Sequence, residues 1–542
     1  MVATRRYPAG IQSFESIRKD GFVYVDKTRL IYKMITEGKP YFMSRPRRFG
    51  KSLLVSTLAA VFEGRRELFE AFTTKDGIEQ PQLFIATTNW DWTPRPVFRF
   101  DFSAGDSVTI EQLDTLIDET LKGYEQSYHI TPTTKDTNIR MIHLLRASHE
   151  QTGHRAVVLV DEYDNFILHS LGDTTKVAAA RQRFQNLFGP LKSEDDHLRF
   201  VFITGISKFS QMGIFSKLNN LTNISMVPMY DTLCGISEEE LATQLRTDIE
   251  QLGLANGLSY EEQLRELKRM YDGYHFSHSM TDMYNPFSLV NAFKTQQIAS
   301  FWFASGTSGA VLDLLSQMPS LDISGVDRVT CEAEAFDRAF DSYSSPLPVL
   351  YQSGYLTIKD YDRELDEYTL GLPNQEVGKG FADCLYQHVT QRQNIDDADK
   401  SQLLRAYKVF RRDDDLTPFI EALKSFFAGL PYQWEQGKRG VSKSIQNEHY
   451  YHALLYTLLL SFGADVIAEE SSAKGRSDIT LKMPKTIYVI ELKFDRSADE
   501  ALKQISRKGY ADKYRLDPRP VVKVGIAFSS EERNIREWKM EN

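Results

Sequence analysis

Cysteine is scarce in this chain: Cys234, Cys331 and Cys384 are the only three in 542 residues, and they stand far apart. That spacing supplies neither a disulfide framework nor the paired thiolates of a structural zinc site. Long apolar runs are missing as well. The longest, Ala453 to Ala468, is broken by Ser461, Gly463 and Asp465 and falls short of the ~20 apolar residues that span a bilayer. The opening MVATRRYPAG carries no apolar segment of the secretory kind. The cytoplasm is therefore the expected location, with no membrane partner. Net positive charge is lacking too. The formal charge is −9, which speaks against a protein that coats nucleic acid by charge alone. The charge is uneven, because from Pro431 onward 19 Lys and Arg face 16 Asp and Glu. A local basic site in this tail is compatible with that modest excess. Repeats and low-complexity segments are absent.

What is present has the composition of an ordinary folded protein, 42% hydrophobic and 26% charged. At about 150 residues per domain the length allows three or four folding units. Up to about Leu233, apolar strand-like runs alternate with helical patterns: YFMS (41–44), VFRFDFS (97–103), AVVLVDEYD (156–164) and RFVFITG (199–205). Such alternation predicts a parallel sheet covered on both faces. From Ser237 to about Leu430 helical patterns dominate, with breaks at NPF (285–287) and SSPLP (344–348). The charged stretches 391–402 and 411–415 read as solvated helix faces in preference to linkers. Near Pro431 the pattern changes to helix, two strands, helix and a last strand, VVKVGIAF (521–528). The expected domains are 1–236, 237–430 and 431–542, an α/β first domain, a mainly helical middle and a small α/β tail.

The segment SRPRRFGKSLL (44–54) follows a short strand and opens a helical stretch, the context a phosphate-binding loop requires. Gly50 lets the backbone approach phosphates, Lys51 neutralises β/γ oxygens, and Ser52 offers a hydroxyl to Mg²⁺ at a helix N-terminus. Arg45 stands where such loops usually place their first glycine. Arg47 and Arg48 suit phosphate clamps or sites for acidic partners. The run AVVLVDEYD ends in Asp161 and Glu162, where one carboxylate holds Mg²⁺ through water and its neighbour polarises the attacking water. Thr204, at the tip of a third strand, is a candidate γ-phosphate sensor, although a solvated turn fits equally. ATP and Mg²⁺ are the implied cofactors.

In the tail, a helix reaching to a cap at Gly463 carries Glu448 near its start. KGRSDITLKM (474–483) and TIYVIELKF (486–494) read as adjacent strands. Strand alternation puts Glu491 and Lys493 on one face, with Asp478 beside Glu491. Mg²⁺ takes oxygen ligands and keeps several waters, so Asp478, Glu491 and the carbonyl of Leu492 would hold it. Lys493 would position or deprotonate the attacking water, or neutralise the pentacovalent phosphate. A same-face ion pair of Glu491 with Lys493 is the plain structural alternative. Tyr510 and Tyr514 are candidate faces for stacking bases. In the middle region His275 reads as a hydrogen-bonded, packed histidine and Trp302 as core.

Taken in order, YPAGIQSFESIRKDGFVYVDKT (7–28), RPRRFGKSL, VDEYD, TGISKFS, YDGYHFS (271–277), YNPFSL (284–289) and YQSGYLTI (351–358) resemble the bacterial AAA-ATPase-like proteins, over most of the chain. In that family the arginine-containing loop is the usual form. Many members carry a C-terminal PD-(D/E)XK domain, and the D-x₁₂-E-x-K arrangement of Asp478, Glu491 and Lys493 resembles that superfamily. The resemblance implies a restriction-endonuclease-like fold, with Glu448 as the acid on the helix and Gln504 as the glutamine of the following helix. Ser477 replaces the proline of the parent pattern. The expected function is nucleotide-coupled, Mg²⁺-dependent cleavage of nucleic acid, with DNA preferred over RNA. The alternative is a nucleotide-driven switch whose nuclease-like module binds without cutting. A motor is the weakest reading, since one ATPase core and no second helicase-like half are found; a homo-oligomeric ring of the chain would rescue it.

Overall fold

The computed structural model describes residues 5–103, 109–170, 173–208, 220–302, 328–337, 347–390, 397–429, 448–472 and 475–542. The domain boundary expected near Pro431 lies outside the described residues, as do positions 344–346 of the SSPLP break and 391–396 of the first charged stretch. The described residues form two compact units: those up to 302 together with 330–374, and those from 375 onward together with 328–329. The helical middle is thus divided between them. Among the described residues no helix is long and apolar enough to cross a membrane.

The first unit is built on a five-stranded sheet in which every pairing is parallel. Its strands are β1 (Pro40–Ser44), β2 (Val97–Asp101), β3 (Ala156–Asp161), β4 (Leu198–Gly205) and β5 (Thr222–Asn223), in the spatial order β2-β3-β4-β1-β5. All six residues of β3 are buried, as a strand covered on both faces requires. Because β4 lies between β1 and β3, the loops leaving the carboxyl ends of β1 and β3 flank one edge of the sheet. Ligands of open α/β sheets bind at such strand ends. Helix α1 (Lys51–Phe62) follows β1 directly and buries nine of its twelve residues.

Beyond the sheet come α2 (Arg246–Asn256), α3 (Tyr260–Tyr271) and α4 (Pro286–Thr295). They pack through Ile249, Leu252, Leu267, Met270, Leu289 and Phe293 into a core of their own. Ser259 caps α3 with a reciprocal Glu262 box, and Asn285 caps α4 ahead of Pro286. This explains why NPF reads as a break and yet starts a helix. A three-stranded sheet, β6 (Val329–Cys331), β7 (Thr357–Asp362) and β8 (Glu367–Gly371), follows. It interrupts the expected helical pattern because its strands are short and β7 and β8 close around the polar DRELD turn.

The second unit contains a helix over Asp397–Asp413, which covers 397–402 of the first charged stretch and 411–413 of the second, while Asp414 and Asp415 lie just beyond its end. Its sheet has five strands: β9 (Asp465–Ser472), β10 (Gly475–Lys482), β11 (Ile487–Phe494), β12 (Val521–Ser529) and β13 (Asn534–Glu541). Only β11 and β12 pair in parallel. The pairing of β10 with β11 and the later β12 match the sequence expectation; β9 and β13 at the two edges are additional. The polar run of β13, with Ile535 as its single buried residue, gives almost no apolar alternation to read. Helix α5 (Glu448–Ser461) precedes the sheet and α6 (Ala498–Lys508) joins β11 to β12, the crossover a parallel pair needs.

Candidate functional site

The loop between β1 and α1 is shaped by two left-handed residues, Arg48 (φ 69°) and Gly50 (φ 90°). A Cβ on Gly50 would meet nothing within 4 Å, so glycine serves the backbone angle and not space. Arg45 does not face the cleft. It is 2% exposed; its guanidinium donates to the carbonyls of Ser44, Ser225 and Tyr230 at 3.0, 2.7 and 3.2 Å and lies 4.1 Å over the Phe276 ring. The residue that departs from the glycine pattern therefore anchors the base of the loop. Lys51 Nζ donates to the carbonyls of Arg45 and Pro46, at 3.0 and 3.1 Å.

A cleft of about 440 Å³ opens here, lined by Arg47, Arg48, Gly50, Lys51, Ser52 and Glu162 among others. Asp161, at the end of β3, is hydrogen-bonded by Ser52. Burial nevertheless raises its carboxyl to about 6. Its Oδ1 is buried with no hydrogen-bond partner, an arrangement that costs free energy unless a cation or donor is supplied. Ser52 and Asp161 thus fit a divalent ion. Glu162 sits at φ 48°, at the cleft wall. Thr204 is a correction: it is fully buried and its hydroxyl donates to the Met43 carbonyl at 2.7 Å, so it holds β4 to β1 and is not among the cleft-lining residues.

Sequence reasoning missed other parts of the cleft. Pro8–Gln12 and the NPF residues Pro286 and Phe287 line it, and Arg48 stacks 4.6 Å from the Phe287 ring. Their motifs carried no recognisable chemistry alone, since they form walls. Asp164, three residues after Asp161, accepts from the amides of Ile206 and Ser207 and from the Ser207 hydroxyl, at 2.9, 2.5 and 2.6 Å. A Cβ on Gly205 would lie 2.4 Å from Asp164 Oδ1, so the TGIS motif owes its glycine to this close approach. His275 and Trp302 are buried as expected; His275 bonds Ile358 O and Asp282.

In the second unit, Asp478, Glu491, Lys493, Glu448 and Gln504 converge. The β10–β11 ladder runs to Ile479↔Ile490, which places Asp478 and Glu491 opposite each other one step beyond it. There the Asp478 carboxylate accepts from the Leu492 amide at 2.7 Å. Lys493 Nζ lies 3.2 Å from Glu491 Oε1 and 3.4 Å from Glu448 Oε1, and donates to the Leu492 carbonyl at 2.7 Å. Glu448 Oε2 accepts from the Phe494 amide at 3.2 Å. The Gln504 side chain donates to Glu491 Oε1. The plain ion pair of Glu491 and Lys493 is thus present, but it is one part of a larger cluster.

Electrostatics set this cluster apart. Burial, then the neighbouring Asp478 charge, raises Glu491 to about 8. Burial also raises Asp478 to about 6, opposed by the Leu492 amide. Glu491 Oε2 is buried without a hydrogen-bond partner. Two acids forced together with one oxygen unsatisfied suit a hard cation better than a lone lysine. Among the described residues no three His, Cys, Asp or Glu side chains stand close enough to form a cage by themselves; Mg²⁺ needs only one or two carboxylates beside its waters. Tyr510 and Tyr514 do not offer stacking faces. Tyr510 packs in a core with Val489, Leu502 and Ile505, against which Tyr514 also packs, and the Tyr514 ring already carries the ammonium groups of Lys482 and Lys513 at 5.5 and 5.2 Å from its centroid.

A parallel sheet with a phosphate-binding type of loop, followed by a mixed sheet bearing paired acids and a lysine, is consistent with the architecture of an NTPase-type core followed by a nuclease-like domain. Residues 8–215 match the family described as predicted AAA-ATPase, and residues 446–538 match the PD-(D/E)XK nuclease superfamily. The chain is also 32% identical, over 98% of its own length and 98% of the other's, to a protein of Azotobacter chroococcum mcd 1 described as an uncharacterized protein in the vnfD 5' region. The chain belongs to the AAA-ATPase-like family and carries a PD-(D/E)XK nuclease superfamily domain at its C-terminal end. No solved structure matches it.

Proposed function

We propose that the chain binds and hydrolyses ATP with Mg²⁺ in its first unit and cleaves phosphodiester bonds of nucleic acid, DNA foremost, with Mg²⁺ in its second. The observation that carries the nuclease reading is the buried, unpartnered Glu491 Oε2 beside Asp478, with Lys493 on the same strand face. When bound, Mg²⁺ polarises a phosphate oxygen and lowers the pKa of a coordinated water. Asp478 and Glu491 hold it, with the Leu492 carbonyl as a third oxygen. Gln504 orients Glu491, and Glu448 steadies Lys493, whose Nζ orients water or neutralises the charge developing on the phosphate. In the first unit, Lys51 with Arg47 and Arg48 neutralises the ATP phosphates. Ser52 and Asp161 hold Mg²⁺, and the Glu162 carboxylate accepts the proton of the attacking water.

The test is a cleavage assay of the purified chain on single- and double-stranded DNA and RNA, with and without ATP and Mg²⁺, beside Lys51→Ala and Asp478→Ala. Loss of cutting in Asp478→Ala supports the reading; cutting that survives in it refutes the reading. A second reading, a nucleotide-driven switch whose nuclease-like unit binds without cutting, is favoured by one contact. The Lys493 ammonium already occupies the Leu492 carbonyl. It predicts no cleavage by the parent chain and unimpaired nucleic-acid retention in Asp478→Ala.

A further inference from the structure

His452 stands one turn after Glu448 on α5, on the same helix face. It is 3% exposed, and its Nε2 lies 2.7 Å from the backbone carbonyl of Asp478. A carbonyl can only accept, so Nε2 carries the proton and donates. The contact falls where β10 parts from β11: their register ends at Ile479↔Ile490, although β10 remains paired with β9 as far as Gly475. One residue further, Asp478 is gripped by two groups instead, its carbonyl by His452 and its carboxylate by the Leu492 amide.

Resting on the metal-site reading above, we infer that His452 is a positioning residue, holding the Asp478 backbone so that its carboxylate faces Glu491 to share a divalent cation. The logic is that of a metal site's outer partners, which fix the orientation of ligands without touching the ion. Their removal weakens metal binding about 10- to 100-fold. The same α5 face then serves both strands, Glu448 through Lys493 and the Phe494 amide, His452 through Asp478.

The experiment is Mn²⁺ binding to the full chain, followed by the electron paramagnetic resonance of free Mn²⁺. The nuclease-unit site is defined as the binding that Glu491→Ala removes. Expected are a 10- to 100-fold weaker site in His452→Leu and an affinity within about threefold of the parent in His452→Gln, whose amide can still donate, a change well below that outer-partner range. Thermal melting in EDTA monitors folding. Should His452→Leu fail to fold, His452→Asn, polar but too short to reach, takes its place with the same expectation. Parent-like affinity in His452→Leu overturns the inference while leaving the metal site intact. Equal weakening in His452→Leu and His452→Gln overturns it in favour of simple packing. Absence of any Glu491-dependent Mn²⁺ overturns the underlying site as well, so the failures are distinguishable.

Discussion

Lys493 and Glu491 project from the same face of one strand with Nζ 3.2 Å from Oε1, and the same ammonium reaches the Leu492 carbonyl between them. The lysine therefore sits against a carboxylate and a carbonyl proposed to hold the cation. Replacing it by methionine removes a positive charge from the metal's surroundings while preserving the stem. Lys493→Met is expected to bind Mn²⁺ at least as tightly as the parent and to lose cleavage by about a hundredfold or more, the scale of removing one transition-state electrostatic contact. Calorimetric titration and a cleavage time course on one preparation check both halves.

The raised acids make metal binding depend on pH in a defined direction. Glu491 titrates near 8 in the folded chain against an ordinary value of 4.5. Between those values the folded state holds the proton that the unfolded state has released. Stability of the metal-free unit therefore falls as pH rises through this window. The cation requires the deprotonated pair, so it opposes that loss most where the loss is greatest. Melting with and without Mn²⁺ is expected to show a small gain near about pH 6 and a larger one near about pH 8.5. A gain that shrinks with rising pH contradicts the assignment.

Arg45 provides a prediction about stability. Arg45→Gly restores the glycine of the usual loop, yet strands the carbonyls of Ser44, Ser225 and Tyr230 and removes the stack on Phe276. A loss of about 3–5 kcal/mol is expected, in the range for truncating a buried, hydrogen-bonded charge. Denaturant unfolding measures it, and ATP affinity per folded molecule should not improve.

Lys51 and Thr204 separate the cleft from the sheet. Lys51→Ala removes the cation at the loop and is expected to lower ATP hydrolysis by about a hundredfold or more. Thr204→Val removes one internal hydrogen bond to Met43 and should cost about 1 kcal/mol of stability, with ATPase turnover little changed. Steady-state phosphate release on the two variants distinguishes them.

Local signals made much of this legible. The apolar runs predicted the principal strands because strands buried on both faces are written as continuous Val, Ile, Leu and Phe. GKS, DE and the D-x₁₂-E-x-K spacing located the acids and lysines, since side-chain alternation on a strand fixes which residues share a face. Three kinds of feature stayed hidden. Edge strand β13 has a polar sequence whose pairing is set by the tertiary fold. Thr204 sits at a strand tip by sequence, but the partner strand captures its hydroxyl. His452 lies in an apolar helix 26 residues before the carbonyl it holds, a long-range backbone contact that no motif encodes.

The most direct measurement is Mg²⁺-dependent nicking of supercoiled DNA by the intact chain and by its Glu491→Gln variant, which keeps the shape and deletes the charge. Nicking by the parent that stops with EDTA, and falls at least about a hundredfold in the variant, is the predicted result. Equal nicking by parent and variant would contradict the placement of catalysis at the paired acids of β10 and β11.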